Sequence, residues 1–243
     1  MSGLKQTPAA FNHHRVFLYQ AFQQIGVDGQ RIAFNPMSGI KTMKGKNPDR
    51  KRPSWEQFKA IIADVRSQKY NASVQESGDY LEAMGRLGLG NAELNKMTWG
   101  DINFATNEIH VLRKKTVTGF IIPIYPQAKD FLLGLKAKAG NPSPDDKVFS
   151  IKSAKKALAQ SCARLGLPSY THISLRRCFI SRCLELGIDV QSVAGWQGHQ
   201  DGGKLILSTY GNVGSHHRQR MAAMLTDETP DNIVSIEKGA ANA

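Results

Sequence analysis

The spacing of apolar residues predicts helices over most of the chain. Apolar side chains recur every three or four residues in a succession of segments, which is the pattern of amphipathic helices. Ser54 with Gln57 forms a capping box before one of them, and Pro126 suits the first turn of another. We predict helices at 7–26, from 54 past 65, at 72–87, from about 91, from 126 to about 140, at 153–165, 174–186, 189–196 and 204–209, and from about 215.

Two short β-branched runs interrupt this helical pattern. Residues 109–112 and 120–124 flank the segment K-K-T-V-T-G, which predicts a β-hairpin. The expected fold class is therefore mainly α with a small β-hairpin or sheet. Such a fold excludes doubly wound sheets and sandwiches, but it does not by itself choose a function.

Composition divides the 243 residues into four parts. Residues 41–53 cannot build a core, because they combine glycine and prolines with six basic residues against one acid. We interpret them as a basic linker that follows DNA; the alternative is a solvated linker without a ligand. Residues 1–40 hold one helix, residues 54–225 form the main domain, and residues 226–243 form a polar tail. The basic residues of the linker are Lys41, Lys44, Lys46, Arg50, Lys51 and Arg52.

The net charge indicates the class of binding partner, and the hydropathy pattern indicates whether the chain enters a membrane. The formal net charge is +12, and basic surfaces gain affinity for phosphate polyanions by releasing counterions. Solvated lysines without a ligand are the alternative. No apolar run approaches the roughly 18 residues of a membrane span, and the N-terminus lacks the pattern of a signal peptide. We expect a protein of the cytoplasm, associated with the nucleoid and not with a membrane.

The three cysteines are Cys162, Cys178 and Cys183. Their number is odd and no C-x-x-C motif occurs, so we expect buried free thiols. The sequence predicts neither a disulfide framework nor a metal site.

Residues 171–212 contain three landmarks in a fixed order. Arg176 follows Leu175 in an amphipathic helix, the pair Gly198-His199 comes next, and Tyr210 lies just beyond it. This order resembles the C-terminal half of the tyrosine recombinases, the phage integrase family. The resemblance covers about 54–225. It implies the catalytic-domain fold of that family, double-stranded DNA as the partner, and no cofactor. Other protomers, contacted through the C-terminal segment, are a second candidate partner.

The resemblance also implies catalytic roles. Tyr210 matches the nucleophile that attacks the DNA phosphate, while Arg176 and His199 match residues that hold its oxygens. Lys115 matches the general acid on the hairpin turn, although the adjacent Lys114 leaves the register open. Each residue has a simpler interpretation: a packing tyrosine, a surface arginine, a helix-capping histidine and a solvated lysine. Arg177 and Lys114 are grouped with the linker as contacts to the DNA backbone.

Two catalytic positions depart from the family pattern. The family's first arginine lies in T-G-L-R-x-x-E-L, and the matching segment from Leu87 to Leu94 is L-G-L-G-N-A-E-L. The arginine position is therefore Gly90. In the H-x-x-R box, Ile173 stands three residues before Arg176, where the family has histidine. Arg86 and His172 are the candidates to compensate.

These departures favour a degenerate family member. We predict a DNA-binding protein that no longer recombines DNA, because both changes remove polar groups from the phosphate site. The alternative is an active site-specific recombinase that cleaves DNA through a 3′-phosphotyrosine intermediate on Tyr210. A basic helical module that binds RNA or a protein would explain the charge, but it would leave the order of the landmarks to chance.

Overall fold

The structure is a computed structural model that describes residues 6–45, 51–69, 73–113, 118–210, 219 and 221–223. The side chains of residues 113, 118, 209 and 210 fall outside this description. The chain divides into two compact units, Met1–Arg50 and Lys51–Ala243. The predicted boundaries at 40, 53 and 225 stay predictions.

The first unit contains helix α1, Pro8–Ala21, which begins at the Thr7 cap. The predicted single helix through residue 26 is wrong in detail, because the chain changes to a π-helix at Phe22–Val27. After the π-helix, the side-chain amide of Asn35 donates to the backbone oxygen of Tyr19 at 2.9 Å. This hydrogen bond joins the segment around Asn35 to α1. None of the residues of α1 is buried.

The described part of the second unit is helical with a small sheet. Its α-helices are α2 Trp55–Ser67, α3 Val74–Leu87, α4 Asn91–Leu94, α5 Pro126–Ala139, α6 Lys155–Arg164, α7 His172–Glu185, α8 Val190–Trp196 and α9 Lys204–Tyr210. A short 3-10 helix spans Trp99–Asp101. The predicted helix from about 215 lies mostly outside the described residues.

The predicted hairpin is present and carries a third strand. Strands β1 Ile102–Asn103, β2 Glu108–Arg113 and β3 Thr118–Pro123 form an antiparallel sheet in sequence order. Opposite residues include Ile109 with Ile122, both buried. The sequence pattern missed β1 because two residues are too few to show alternation.

Two helix starts are set by capping boxes. Ser54 and Gln57 exchange side-chain and backbone hydrogen bonds at the start of α2, as predicted. Thr171 and Ser174 do the same for α7. Helix α7 therefore begins at His172, two residues before the predicted start, because Ser174 occupies the third helical position and not the cap.

The main core cluster contains buried residues of α2, α3, α5, α6 and α7 together with residues of the sheet. Tyr80 of α3 is fully buried, and its hydroxyl lies 2.9 Å from Asn91 Oδ1 and 2.8 Å from Asn95 Oδ1. Its ring packs edge-on against Phe149, with the centroids 5.2 Å apart. Burial raises the pKa of Tyr80 to about 12, so this hydroxyl stays a donor that ties α3 to α4.

A buried ion network joins α2, α3 and α5. Arg66 pairs with both Asp79 and Glu82, whose carboxylates are buried. Arg86 also pairs with Glu82, and Lys138 Nζ lies 2.9 Å from Asp79 Oδ2. Such carboxylates are costly to bury without cationic partners. The network therefore fixes the mutual position of these helices.

His172 lies in the core at the first turn of α7, with 7% of its surface exposed. Its ring centroid is 6.1 Å from that of Tyr80. Within the described residues, neither ring nitrogen has a hydrogen-bond partner. Burial, with a smaller effect of Lys155, lowers the pKa of His172 to about 4, so the imidazole is neutral at neutral pH.

The described residues contain no helix that is long and apolar enough to cross a membrane. Cys162, Cys178 and Cys183 are buried free thiols, as predicted. Burial raises the pKa of the Cys178 and Cys183 thiols to about 12, which keeps both protonated. No group of three or more histidine, cysteine or carboxylate side chains suited to a metal occurs in the described part of the chain.

Two helical glycines should respond oppositely to alanine. A Cβ on Gly85 of α3 would lie 2.3 Å from Phe58 Cε2, whereas one on Gly134 of α5 would meet nothing within 4 Å. We expect Gly85→Ala to lower the free energy of unfolding by about 1–2 kcal/mol through overpacking. The matched Gly134→Ala should raise it by about 0.5–1 kcal/mol. Urea unfolding measures both, and a stabilising Gly85→Ala would contradict the packing described.

His172 predicts a loss of stability in acid. Its folded pKa lies below its unfolded value, so the unfolded chain binds the additional proton, and stability falls as the pH drops from about 6.5 towards 4. We expect protonation of His172 in the unfolded chain to lower the free energy of unfolding by about 2 kcal/mol between pH 7 and pH 5. His172→Leu should remove this part of the loss in urea unfolding, whereas His110→Gln, at a half-exposed histidine, should keep it. An unchanged pH dependence in His172→Leu would contradict a buried neutral imidazole.

Candidate active site

Arg176 is the central side chain of the candidate site. It projects from α7, and only 17% of its side chain is exposed. Its Nη2 donates to the backbone oxygen of Gln197 at 3.0 Å, and its Nη1 lies 3.7 Å from Glu93 Oε1. The guanidinium thus makes one hydrogen bond and one ion pair, with residues from two other parts of the chain.

The C-terminal turn of α8 positions the pair Gly198-His199. The backbone N–H of Gly198 donates to Gly195 at 2.9 Å, and that of His199 donates to Ala194 at 2.9 Å. This is a Schellman ending, which needs a left-handed residue, and Gly198 has a φ of 63°. A Cβ there would also lie 2.7 Å from Phe120 Cδ1. Glycine therefore lets the turn close, and it brings half-buried His199 next to Gln197, the residue that holds Arg176.

A second glycine turn packs against the first. Helix α3 ends at Gly88 with a φ of 66°, and a Cβ there would lie 2.4 Å from Gln197 Nε2. The close approach brings the following residues of this loop to the same site as Arg176. A Cβ on Gly90 would lie 3.6 Å from Arg176 Nη1 and 2.6 Å from Glu93 Oε2. Gly90, the position that the resemblance assigns to the family's first arginine, is therefore adjacent to Arg176.

The two residues of the altered histidine box lie in different surroundings. Ile173 is 61% exposed, although it is a large apolar residue. His172 is buried against Tyr80, and no hydrogen bond or ion pair in the described structure joins it to Arg176. Compensation by His172 stays a prediction, and it would require the ring to leave the core.

Arg86 belongs to the buried ion network. Its Nε donates to Glu82 Oε1, its guanidinium carbon is 6.0 Å from the centroid of the Trp55 ring, and its backbone oxygen accepts from the Tyr125 hydroxyl at 2.9 Å. No described hydrogen bond or ion pair joins it to Arg176. Compensation by Arg86 likewise stays a prediction.

Tyr210 is the last residue of α9, and its side chain lies outside the description. Helix α9 begins after Gly202 and Gly203, both with positive φ. Asp201 accepts from the backbone N–H of Leu205 at 2.9 Å and from that of Gly203 at 3.0 Å. These hydrogen bonds lower the pKa of Asp201, and the bond from Leu205 has the largest effect. The ionised carboxylate therefore stabilises the turn between His199 and α9.

The other predicted site residues are only partly described. Lys114 and Lys115 lie in the hairpin turn outside the described residues, as do Lys46 and Arg50 of the linker. The described linker residues Lys41, Lys44, Lys51 and Arg52 are exposed, and Arg177 is half-buried. None of these assignments is tested by the structure.

Two residues of the site were not assigned a role from sequence. Glu93 served only to set the register of its segment, and Gln197 was not singled out. The spacing of Glu93, three residues after Gly90 in a short helix, is the signal that could have found it. Gln197 contributes a backbone oxygen to Arg176, which no side-chain pattern reports.

The arrangement brings the Arg176 guanidinium to the turn that carries His199. An arginine fork that shifts from Glu93 could bond two oxygens of a phosphate. Gly90 lies beside Arg176 and contributes no guanidinium, because it has no side chain.

No family model and no curated protein sequence matches the chain. Solved structures do match. The Tn1549 transposon integrase in complex with circular intermediate DNA is 15% identical with a TM-score of 0.66, over 90% of this chain and 80% of that one. The XerH site-specific recombinase bound to a palindromic difH substrate is 14% identical with a TM-score of 0.68, over 92% and 66%.

A lambda integrase dimer bound to a COC′ core site is 19% identical with a TM-score of 0.62, over 92% of this chain and 63% of that chain. Likeness at this identity defines the fold and leaves the chemistry open. The chain has the fold of the tyrosine recombinase catalytic domain, as its sequence predicts.

Proposed function

We propose that the chain is a tyrosine recombinase relative that binds double-stranded DNA and has lost efficient strand cleavage. The observation that carries this proposal is the position of Gly90, whose Cβ would lie 3.6 Å from Arg176 Nη1. The site has a phosphate-binding arginine of the kind the family uses, and it lacks that arginine's neighbour.

The missing neighbour matters more for cleavage than for binding. Transfer of a phosphodiester to a tyrosine increases the charge on the non-bridging oxygens in the transition state, so each positive donor contributes most there. Loss of one such donor costs on the order of 3 kcal/mol, about a hundredfold in rate. Ground-state binding of DNA depends on many backbone contacts and tolerates the loss of one.

Three observations support DNA as the partner. The formal net charge is +12, which favours a phosphate polymer. The described basic residues of the linker are exposed. The similar structures include an integrase in complex with circular intermediate DNA and a recombinase bound to its substrate.

An active recombinase is the second candidate. It is favoured by the contact between Arg176 and the turn that carries His199, and by Tyr210 at the end of the next helix. Under this hypothesis other side chains replace the missing donor. The two hypotheses differ in one observable, which is a covalent link between Tyr210 and DNA.

Incubation with supercoiled plasmid separates the two hypotheses. We expect the wild-type chain to retard the plasmid in native gels without relaxing it or becoming attached to it after detergent. Gly90→Arg should raise the amount of protein covalently attached to the plasmid about a hundredfold over the wild-type chain. The reason is that it places a second guanidinium beside Arg176. The φ of Gly90, −85°, accepts any side chain, and the Glu93 carboxylate that its Cβ would meet is the end of a flexible side chain.

The control is the double variant Gly90→Arg with Tyr210→Phe, which should bind and not attach. Attachment by the wild-type chain that disappears in Tyr210→Phe would overturn the proposed loss of cleavage and establish the recombinase. Absence of any mobility shift at low salt would overturn DNA binding itself.

Salt should weaken binding steeply. Backbone contacts release counterions, so we expect affinity for a short duplex to fall at least about tenfold between 50 and 200 mM salt. Lys51→Gln with Arg52→Gln should lower the salt slope by about two. Fluorescence anisotropy measures both effects. A second duplex of unrelated sequence should bind with similar affinity, and equal affinity at low and high salt would contradict the proposal.

A further inference from the structure

A cavity of about 550 Å³ lies in the second unit, where side chains of α2, α3, β3, α7 and α8 meet. Ile122, Phe179 and Cys183 line it and are buried, whereas Leu186, which also lines it, is 53% exposed. Sites for small molecules in proteins have volumes of about 300–1,000 Å³ and mostly apolar walls. The cavity therefore has the size and the lining of a ligand site, and it is open to solvent near Leu186.

Three aromatic side chains contribute to the walls of the cavity. Trp55, Tyr125 and Trp196 are each half-buried. The Tyr125 hydroxyl already donates to the backbone oxygen of Arg86 at 2.9 Å, so this polar group is satisfied without a ligand. Aromatic rings pack well against other planar apolar groups. The walls therefore favour a ligand with a planar apolar body.

Two arginines line the cavity, and no carboxylate lines it among the described residues. The guanidinium carbons of Arg86 and Arg182 lie 6.0 and 5.6 Å from the centroid of the Trp55 ring. Arg86 is paired with Glu82. For the Arg182 side chain, the described part of the chain contains the Trp55 contact and no ion pair. The cavity therefore has one guanidinium that no described carboxylate neutralises.

We propose that this cavity binds a small apolar monocarboxylate, with its planar body against the aromatic walls and its carboxylate on Arg182. The site is separate from the candidate active site, because Arg176, Gln197 and His199 do not line the cavity. The inference does not rest on DNA binding.

The chemistry of Arg182 favours a carboxylate that carries one charge. The planar guanidinium fork bonds both oxygens of a carboxylate, and Arg182 is half-buried, so water screens this interaction incompletely. A phosphate monoester would bring about two negative charges to a single unneutralised guanidinium. Apolar walls make an unpaired second charge costly, because it loses its water without gaining a partner.

Isothermal titration calorimetry of the full chain with 2-naphthoate tests the site. The matched ligand is 2-naphthamide, which has the same planar body and no charge. We expect 2-naphthoate to bind at least about tenfold more tightly, since it alone pairs with a guanidinium. Arg182→Gln should weaken the binding of 2-naphthoate about tenfold and change that of 2-naphthamide less than about twofold. Arg31→Gln, at an exposed arginine of the first unit, is the charge control and should leave both affinities unchanged.

Two exposed leucines test the location of the site. Leu186 and Leu165 are the C-terminal caps of α7 and α6, and only Leu186 lines the cavity. Leu186→Glu should weaken the binding of 2-naphthoate at least about tenfold, because it places a second negative charge at the site. Leu165→Glu makes the same change elsewhere and should leave the affinity unchanged. The Tm of each variant shows whether the fold is retained.

Three results would overturn the proposal. Equal affinity for the two ligands would show an apolar cavity that does not recognise an anion. Absence of binding by both, with an unchanged Tm, would show that something else fills the cavity. Equal losses in the cavity variants and their controls would show a general effect of charge. No DNA is present in the titration, so each of these results leaves the proposed function as it stands.

Discussion

The hydrogen bond from Arg176 to the backbone of Gln197 is the contact on which the candidate site depends. It joins α7 to the end of α8, where Gly198 has a positive φ and where the turn at Gly88 approaches Gln197 closely. A side chain at either glycine would meet neighbouring atoms at less than 3 Å. The site is therefore positioned by backbone turns, and the Arg176 guanidinium contacts the turn that carries His199.

One guanidinium without its neighbour has different consequences for binding and for chemistry. DNA affinity is distributed over many contacts, whereas cleavage concentrates its electrostatic requirement at one phosphate. Under the proposed function, Gly90 offers no donor to that phosphate, because it has no side chain beside Arg176.

The sequence predicted features that local chemistry determines. The capping box of Ser54 and Gln57, the start of α5 at Pro126 and the hairpin follow from neighbouring residues, and the structure has all three. Features that depend on tertiary packing escaped prediction. The burial of His172, the contact between Glu93 and Arg176, and the two-residue strand β1 arise from parts of the chain distant in sequence. Periodicity carries no information about such contacts.

A crystal structure of the chain bound to a short duplex tests the central claim most directly. The measured quantity is the distance from the Arg176 guanidinium nitrogens to the nearest phosphate oxygen. The account predicts a phosphate oxygen within about 3 Å of Arg176 and an intact phosphodiester. DNA that lies on another surface would contradict it, as would a phosphate covalently attached to Tyr210.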